Sequence, residues 1–174
     1  MQYIFFNYTK MEIIILGAGK PKRGTEPSAL KQISLNAVTL DWQIKSFKAI
    51  HNKAKIIFLG GYKINKIKKK IPIISFKKIQ KPKNILRTFL NINLNKKDKI
   101  ITYSDTIFRK EIFKEILKQP GDAVFVVDSN WKHRFKSRTN KDIKEAEKIN
   151  LNVFTSKSKK IVEFTGLFLI RKNS

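Results

Sequence analysis

The sequence predicts an α/β fold in which helices cover both faces of a mostly parallel, mixed sheet, giving three layers. Short apolar runs alternate along the chain with amphipathic stretches, as in strand–helix units. The 174 residues, 41% of them hydrophobic, can bury one sizeable core. No repeat or low-complexity linker divides the chain. We therefore expect one domain over residues 11–174, with residues 1–10 as an N-terminal extension.

Five short apolar runs predict the strands of the central sheet. Each run is continuous rather than alternating, which is typical of strands covered on both faces. Ligands of such sheets gather beyond the carboxyl ends of the strands. The runs are Ile13–Leu16, Ile56–Leu59, Ile71–Phe76, Ile100–Tyr103 and Ala123–Val127.

Apolar residues at helical spacing predict the helices between these strands. The first helix follows Thr39, a residue type that caps helices, and the last precedes the stop signal "QPGD". The apolar positions are Leu40, Ile44 and Phe47; Ile64, Ile67 and Ile71; Ile85, Phe89 and Ile92; and Phe108, Ile112 and Ile116.

Composition excludes several classes of protein. The sequence contains no cysteine, which excludes disulfides and zinc–thiolate sites. Residues 1–10 lack the basic segment and apolar core of a signal peptide, and no apolar run is long enough for a membrane span. We therefore expect a cytoplasmic protein.

The net charge of +25 allows two interpretations. It suits a basic domain associated with nucleic acid, but the excess is mostly lysine, accompanied by many isoleucines and asparagines, as A/T-rich codons produce. In the densest run, "KINKIKKKIPIISFKK", the isoleucines have helical spacing and no aromatic residues interleave the lysines to stack on bases. We favour a solvated helix face for this run.

The first candidate site is the stretch "IIILGAGKPKRGTEPSAL", where an apolar strand runs into a glycine turn. The P-loop pattern requires a glycine where Ile14 stands and a hydroxyl residue where Pro21 stands. A dinucleotide fingerprint requires a third glycine where Lys22 stands. Neither known phosphate-binding motif is therefore present.

What remains in this stretch is a turn, Gly17–Gly19, whose backbone N–H groups can approach an anion closely. Lys20, Lys22 and Arg23 follow it, on a loop stiffened by prolines. The stretch predicts an anion site, and the alternative is a simple tight turn beside surface lysines.

The second candidate is Asp105 in "IITYSDTIFRKEIF", directly after a predicted strand. There its carboxylate would face the same edge of the sheet as the glycine turn and could bind Mg²⁺ against a nucleotide's phosphates. The alternative is a helix cap, because Asp105 or Thr106 could begin the following helix.

These stretches together resemble the GT-A-type nucleotidyltransferases, the group of sugar-phosphate nucleotidylyltransferases and phosphocholine cytidylyltransferases. The likeness is greatest to the NTP-transferase domains of phosphonate and phosphocholine metabolism, and it covers Glu12 to about Ile170. The motifs occur in the family's order as "IIILGAGKPKRGTEPSAL", "LDWQIKSF", "IFLGGY", "YSDTIF" and "GDAVFVVDSNWKHRFKSRT…EAEKI".

The resemblance implies transfer of a nucleoside monophosphate, CMP as the best guess, from an NTP to a phosphorylated or phosphonate acceptor. It implies Mg²⁺ as cofactor, CTP as the favoured nucleotide, and neither a specific nucleic acid nor a membrane as partner. By position it assigns nucleotide binding to Leu16, Gly17, Ala18 and Gly19; triphosphate contact to Lys20 and Arg23; the base and acceptor region to Gly60, Gly61 and Tyr62; the metal to Asp105; and acceptor binding to Asp128 and Arg138. For Trp131 we expect packing at least as much as ligand contact.

Two departures from the family pattern affect these expectations. The family has a lysine after the proline of the opening motif, but Ser28 follows Pro27, so Lys22 or Lys31 would have to supply that phosphate contact. The family also has a second metal-binding acid well after the strand "EFTGLFLI", and this sequence ends at Ser174. We therefore expect a truncated or degenerate member, a split enzyme, or one that completes its site as a homodimer. A catalytically inactive nucleotide-binding protein on the same fold remains the alternative.

Overall fold

The structure is a computed structural model that describes residues 11–22, 24–80, 84–94, 96–151 and 161–172. The expected extension, residues 1–10, lies outside these ranges. The described strands are β1 (Glu12–Gly17), β2 (Gln32–Ser34), β3 (Ala37–Val38), β4 (Lys55–Gly60), β5 (Ser75–Lys78), β6 (Lys99–Tyr103), β7 (Ala123–Asp128), β8 (Lys148–Asn150) and β9 (Ile161–Ile170).

The helices of the described residues lie between these strands. A single 3₁₀ turn spans Ser28–Leu30. The α-helices are α1 (Thr39–Ile50), α2 (Ile64–Lys70), α3 (Ile85–Phe89), α4 (Lys110–Lys118), α5 (Trp131–Arg134) and α6 (Asn140–Glu145). No described helix has the length and apolar character to span a membrane.

Seven strands form one mixed sheet, in the order β5-β4-β1-β6-β9-β7, with β8 also paired to β9. Strands β5, β4, β1 and β6 are parallel neighbours. Strand β9 is antiparallel to β6, β7 and β8. The short strands β2 and β3 form a separate hairpin. The predicted α/β fold with a mostly parallel, mixed sheet is confirmed.

The core lies on both faces of the sheet. Alternate residues of β1 point to opposite faces, so that Ile13 and Ile15 join one buried cluster and Ile14 and Leu16 join the other. Helices α1 and α4 cover the first face, where the Phe47 ring meets the Phe113 ring edge-on at 5.0 Å between centroids. The second face is covered by α3.

Four of the five predicted strands coincide with β1, β4, β6 and β7, and the fifth was placed too early. Ile71 is not in a strand, because it caps α2 and packs into the core with that helix. Pro72 has no N–H to donate to the neighbouring strand, and pairing begins only at Ser75. The predicted strand Ile71–Phe76 is therefore wrong in its first four residues.

Three helix boundaries also differ from the prediction. Thr39 is the first residue of α1 rather than its cap, and the Asp41 carboxylate accepts a hydrogen bond from the Val38 N–H instead. Helix α3 is shorter than predicted and ends before Ile92. Phe108 precedes α4 and packs into the core from the preceding loop.

Candidate functional site

The carboxyl ends of three neighbouring parallel strands meet at one edge of the sheet, as predicted from their polar and glycine-rich ends. Strand β1 lies between β4 and β6. The Tyr62 N–H donates to the Ala18 carbonyl at 2.9 Å, and the Ser104 N–H donates to the Leu16 carbonyl at 3.0 Å. The structure thereby brings the turns after β1, β4 and β6 together. Asp105 directly follows Ser104 in the last of these turns.

Glycines at this edge have two different kinds of surroundings. A Cβ on Gly17 would lie 2.2 Å from the Phe58 ring, and one on Gly60 would lie 2.8 Å from the Ile64 side chain, so both glycines permit close packing. A Cβ on Gly19 would have no described atom within 4 Å. The backbone at Gly19 is therefore open to an approaching ligand. The close packing of Gly17 and Gly60 fixes the position of the glycine turn.

The loop that follows β1 is held in place by contacts from other elements. The Tyr62 hydroxyl and the Lys63 ammonium donate to the Thr25 carbonyl at 3.1 and 2.8 Å. Nearer the start of the loop, the Lys22 ammonium donates to the Glu145 carboxylate at 2.6 Å, and this bond lowers the pKa of Glu145. The loop is therefore held by the turn before α2 on one side and by α6 on the other.

The three cations predicted to contact an anion differ in the contacts that the structure describes for them. Lys20 is exposed next to Gly19, and no described residue forms an ion pair with it. Lys22 is occupied by Glu145, although both side chains are substantially exposed. Arg23 lies outside the described residues. Lys20 is therefore the predicted cation that the described residues leave available for a ligand.

Asp105 lies in the turn after β6 and is exposed. The helix-cap alternative is wrong, because α4 begins only at Lys110 and its cap residue, Arg109, makes no side-chain capping bond. The Thr106 hydroxyl donates to the Thr165 carbonyl at 2.9 Å, so Thr106 does not cap the helix either. No described residue donates a hydrogen bond to the Asp105 carboxylate.

Gln43 positions the turn that carries Asp105. Its side-chain amide is fully buried and donates to the Tyr103 and Thr106 carbonyls, each at 2.7 Å. These two carbonyls flank Asp105 in sequence. The sequence prediction missed Gln43, although a glutamine on the apolar face of α1, three residues after Leu40, is a recognisable signal.

Tyr103 forms a second support next to Asp105. Its hydroxyl donates to the Glu147 carboxylate at 3.0 Å. Burial raises the pKa of the Tyr103 hydroxyl, and the negative charges of Glu147 and Asp105 raise it further. The Asp105 carboxylate is therefore close enough to act electrostatically on the phenol. Neither Tyr103 nor Glu147 was predicted as part of the site.

A second acidic group lies at the end of β7. Arg134 bridges the Asp128 carboxylate, at 2.6 Å from its Nε, and the Glu163 carboxylate. Partial burial acts to raise the pKa of Asp128, but hydrogen bonds from Arg134 and the Asn130 N–H outweigh it and lower that pKa. Arg138 is exposed and lies over the Phe135 ring at 5.7 Å. None of these contacts joins Asp128 or Arg138 to the glycine turn.

Trp131 packs rather than facing a ligand site. It is 5% exposed, donates from its ring nitrogen to the Ile161 carbonyl at 3.2 Å, and meets the Phe135 ring edge-on at 5.6 Å. The expectation that it packs is confirmed.

The arrangement of acidic side chains limits how this edge could bind a metal ion. Among the described residues, no three His, Cys, Asp or Glu side chains are grouped so that they could hold an ion. A site made wholly of protein ligands therefore does not fit. A single exposed carboxylate such as Asp105 does fit Mg²⁺ that arrives on a substrate's phosphates, because Mg²⁺ commonly takes one or two carboxylates and completes its shell with phosphate and water.

No protein-family model and no curated protein match the sequence. Solved structures do match. CTP:phosphocholine cytidylyltransferase (LicC) from Streptococcus pneumoniae is 16% identical with a TM-score of 0.59, over 93% of this chain and 71% of that one. A CMP:2-keto-3-deoxy-manno-octonic acid synthetase, solved with CTP, is 7% identical with a TM-score of 0.61, over 93% and 74%.

The bifunctional IspDF from Campylobacter jejuni is 14% identical with a TM-score of 0.53, and the match covers 68% of this chain. The chain spans only 33% of that longer protein. Identities this low show the fold alone. The chain has the fold of the nucleotidyltransferases, and at that level the resemblance found in the sequence is confirmed.

Proposed function

We propose that this protein is a nucleotidyltransferase that transfers CMP, or another nucleoside monophosphate, from an NTP to a phosphorylated or phosphonate acceptor. An ionised acceptor oxygen attacks the α-phosphorus of the NTP. The bond from that phosphorus to the oxygen that bridges it to the β-phosphorus breaks, and pyrophosphate leaves. The new P–O–P bond joins acceptor and nucleotide, and no base has to remove a proton because the attacking oxygen is already ionised.

Such a transfer depends on positioning and on neutralising charge more than on a covalent nucleophile. The glycine turn offers backbone N–H groups, no described atom lies within 4 Å of a Cβ built on Gly19, and Lys20 beside it is exposed. We assign the triphosphate to Leu16–Gly19 and Lys20. We assign the base to the neighbouring Gly60–Tyr62 turn.

Asp105 is the residue to which we assign Mg²⁺. Its turn is held by Gln43, and no described donor competes for its carboxylate. When bound, Mg²⁺ would neutralise part of the negative charge on the triphosphate. Roles for Arg23, Asp128 and Arg138 in the reaction stay predictions.

CTP is the first nucleotide to test. One of the matching structures is named as a CTP-dependent cytidylyltransferase and another was solved with CTP, which supports this choice without fixing the base. The observation that carries the proposal is that the glycine turn meets, at one sheet edge, the turn of Asp105, whose carboxylate no described residue pairs.

The test is a calorimetric and thermal-shift screen of CTP, UTP, GTP and ATP, each with and without Mg²⁺. A ligand that binds only the folded chain raises its melting temperature. We expect one NTP to bind in a Mg²⁺-dependent way and then to support pyrophosphate release with phosphorylated or phosphonate acceptors. Binding without release from any acceptor would favour the catalytically inactive alternative, and no NTP binding at all would refute the proposal.

A further inference from the structure

An apolar pocket of about 300 Å³ lies on the second face of the sheet, next to the candidate site. All nine described residues that line it are aliphatic or aromatic. In a chain with 29% charged residues and a net charge of +25, a lining whose described residues carry no charge differs sharply from the rest of the surface. Its volume lies at the lower end of the range for small-molecule sites, roughly 300–1,000 Å³.

The pocket wall is built from interlocking aromatic rings. Phe125 stacks on Phe168 with 5.6 Å between centroids, and Phe164 meets Phe125 and Tyr103 edge-on at 5.8 and 5.9 Å. Phe89 closes the wall from α3, at 5.9 Å from Phe168. Such tilted and stacked pairs hold one another in place, so the wall is a formed surface rather than a loose patch.

The pocket is continuous with the candidate site through two residues. Leu16 lines the pocket and is also the last residue before the glycine turn. Tyr103 lines it with its ring, while its hydroxyl bonds Glu147, and Asp105 follows two residues later. A Cβ on Gly166 would lie 2.6 Å from the Tyr103 ring, so this glycine lets β9 approach and hold the ring. The polar rim and the apolar interior therefore belong to one cleft.

We propose that this pocket binds the hydrophobic part of the acceptor, so that the acceptor is a phosphomonoester or phosphonate with an apolar group rather than a sugar phosphate. The acceptor's phosphate would lie at the rim near Asp105 and Lys20, and its apolar group would extend past Tyr103 into the aromatic pocket. A sugar would leave its hydroxyls facing a wall without hydrogen-bonding partners, which costs binding free energy. This inference rests on the proposed function.

The experiment is a calorimetric titration of the full chain with methyl, butyl, hexyl and octyl phosphate. We expect affinity to rise along the series by up to about fourfold for each methylene that becomes buried. Equal affinity for methyl and octyl phosphate, or no binding of either, would overturn the inference.

Variants then locate the binding. Phe125 and Leu86 line the pocket but are 50% and 58% exposed, so Phe125→Ala and Leu86→Ala should fold. Both variants should weaken the increase in affinity with the length of the alkyl group. Ile73→Ala removes an equally exposed apolar side chain, 64% exposed and outside this pocket, and should leave the dependence unchanged. A dependence that survives in both pocket variants would contradict the inference.

Binding of Mg²⁺ and CTP, measured on the same proteins, separates this inference from the proposed function. If CTP binds and chain length has no effect, the pocket inference alone fails. If chain length matters in a pocket-dependent way and no NTP binds, the proposed function alone fails, and the pocket still binds an apolar phosphate. If sedimentation shows self-association that only the pocket variants abolish, the pocket is an interface between copies, which overturns the inference.

Discussion

Two aspartates lie at the carboxyl ends of parallel strands in this sheet, and their surroundings differ. Asp128 accepts hydrogen bonds from Arg134 and from the Asn130 N–H, so its charge is already neutralised within the fold. The turn that carries Asp105 is held by the Gln43 amide through the Tyr103 and Thr106 carbonyls, and no described donor meets the Asp105 carboxylate. The position of an acidic residue at a sheet edge therefore does not decide its role. The availability of its charge separates a ligand site from a structural ion pair.

The largest effect on stability is expected at Gly166, where β9 packs against the Tyr103 ring. Gly166 has a φ of +78°, and any Cβ there would meet the Tyr103 ring. Gly166→Ala should therefore lower the free energy of unfolding by about 2–4 kcal/mol, through left-handed backbone strain and overpacking together.

Gly24→Ala is the matched control for Gly166→Ala. Gly24 has a similar φ of +71°, but a Cβ there would have no described atom within 4 Å. It should cost only about 1–2 kcal/mol, from backbone strain alone. Chemical denaturation measures both values, and equal losses would show that packing against Tyr103 contributes nothing.

The next effect concerns Tyr103, which joins the Asp105 turn to Glu147. Tyr103→Phe removes the hydrogen bond to Glu147 and should cost about 1 kcal/mol. The pKa of this hydroxyl is higher in the folded state than in the unfolded state. Its contribution to the free energy of unfolding is therefore complete below the unfolded pKa of about 10 and is lost as pH rises above that value. Denaturation at pH 8 to 11 should therefore show a shallower loss of stability for Tyr103→Phe than for wild type, and parallel curves would refute this reading.

A smaller and opposite pH dependence is expected from Asp128. Its pKa is lowered in the folded state, so its stabilisation is present above the unfolded pKa of about 3.9 and is lost as pH falls through the folded pKa. Asp128→Asn should cost about 1 kcal/mol or less at pH 7, because the Arg134 partner is half exposed and screened by solvent. Acid titration of stability should be less steep in this variant. An unchanged acid profile would mean that the ion pair does not form in solution.

The smallest effect is expected at Lys22. Its partner Glu145 and Lys22 itself are exposed, and such pairs contribute little to stability. Lys22→Ala should leave the melting temperature unchanged within error. A clear drop would show that the loop after β1 is braced mainly through α6 rather than through Tyr62 and Lys63.

The parallel half of the fold was predictable from sequence because its strands are buried on both faces and read as continuous apolar runs. Strand β8 and the β2–β3 hairpin were missed, since these segments are short and mostly polar or exposed. Helices α5 and α6 were missed for the same reason, because α6 buries no residue and α5 only one. Strand β9 is also absent from the five apolar runs although much of it is buried, because Glu163, Thr165 and Gly166 interrupt its apolar sequence. Local pattern identifies continuous apolar runs and overlooks segments that are short, polar or interrupted.

The placement of the candidate site was predictable where a residue directly follows a strand. The sequence placed the glycine turn and Asp105 at one sheet edge in this way, and their roles stay predictions. Gln43 bonds the Tyr103 carbonyl across 60 residues, and Tyr103 bonds Glu147 across 44, so these supports depend on tertiary contacts that spacing does not reveal. The pairing of Asp128 with Arg134 was missed although only six residues separate them, because a polar stretch does not show which cation faces the acid.

The assignment of Mg²⁺ and a nucleotide to the Asp105 edge can be tested by calorimetry. CTP binding is measured with and without Mg²⁺ in wild type, Asp105→Asn and Asp128→Asn. Both variants remove one carboxylate charge at the same sheet edge. We predict that the wild type and Asp128→Asn bind CTP with the same Mg²⁺ dependence, while Asp105→Asn loses the Mg²⁺-dependent part of the affinity. Equal Mg²⁺-dependent binding by Asp105→Asn and the wild type would contradict it.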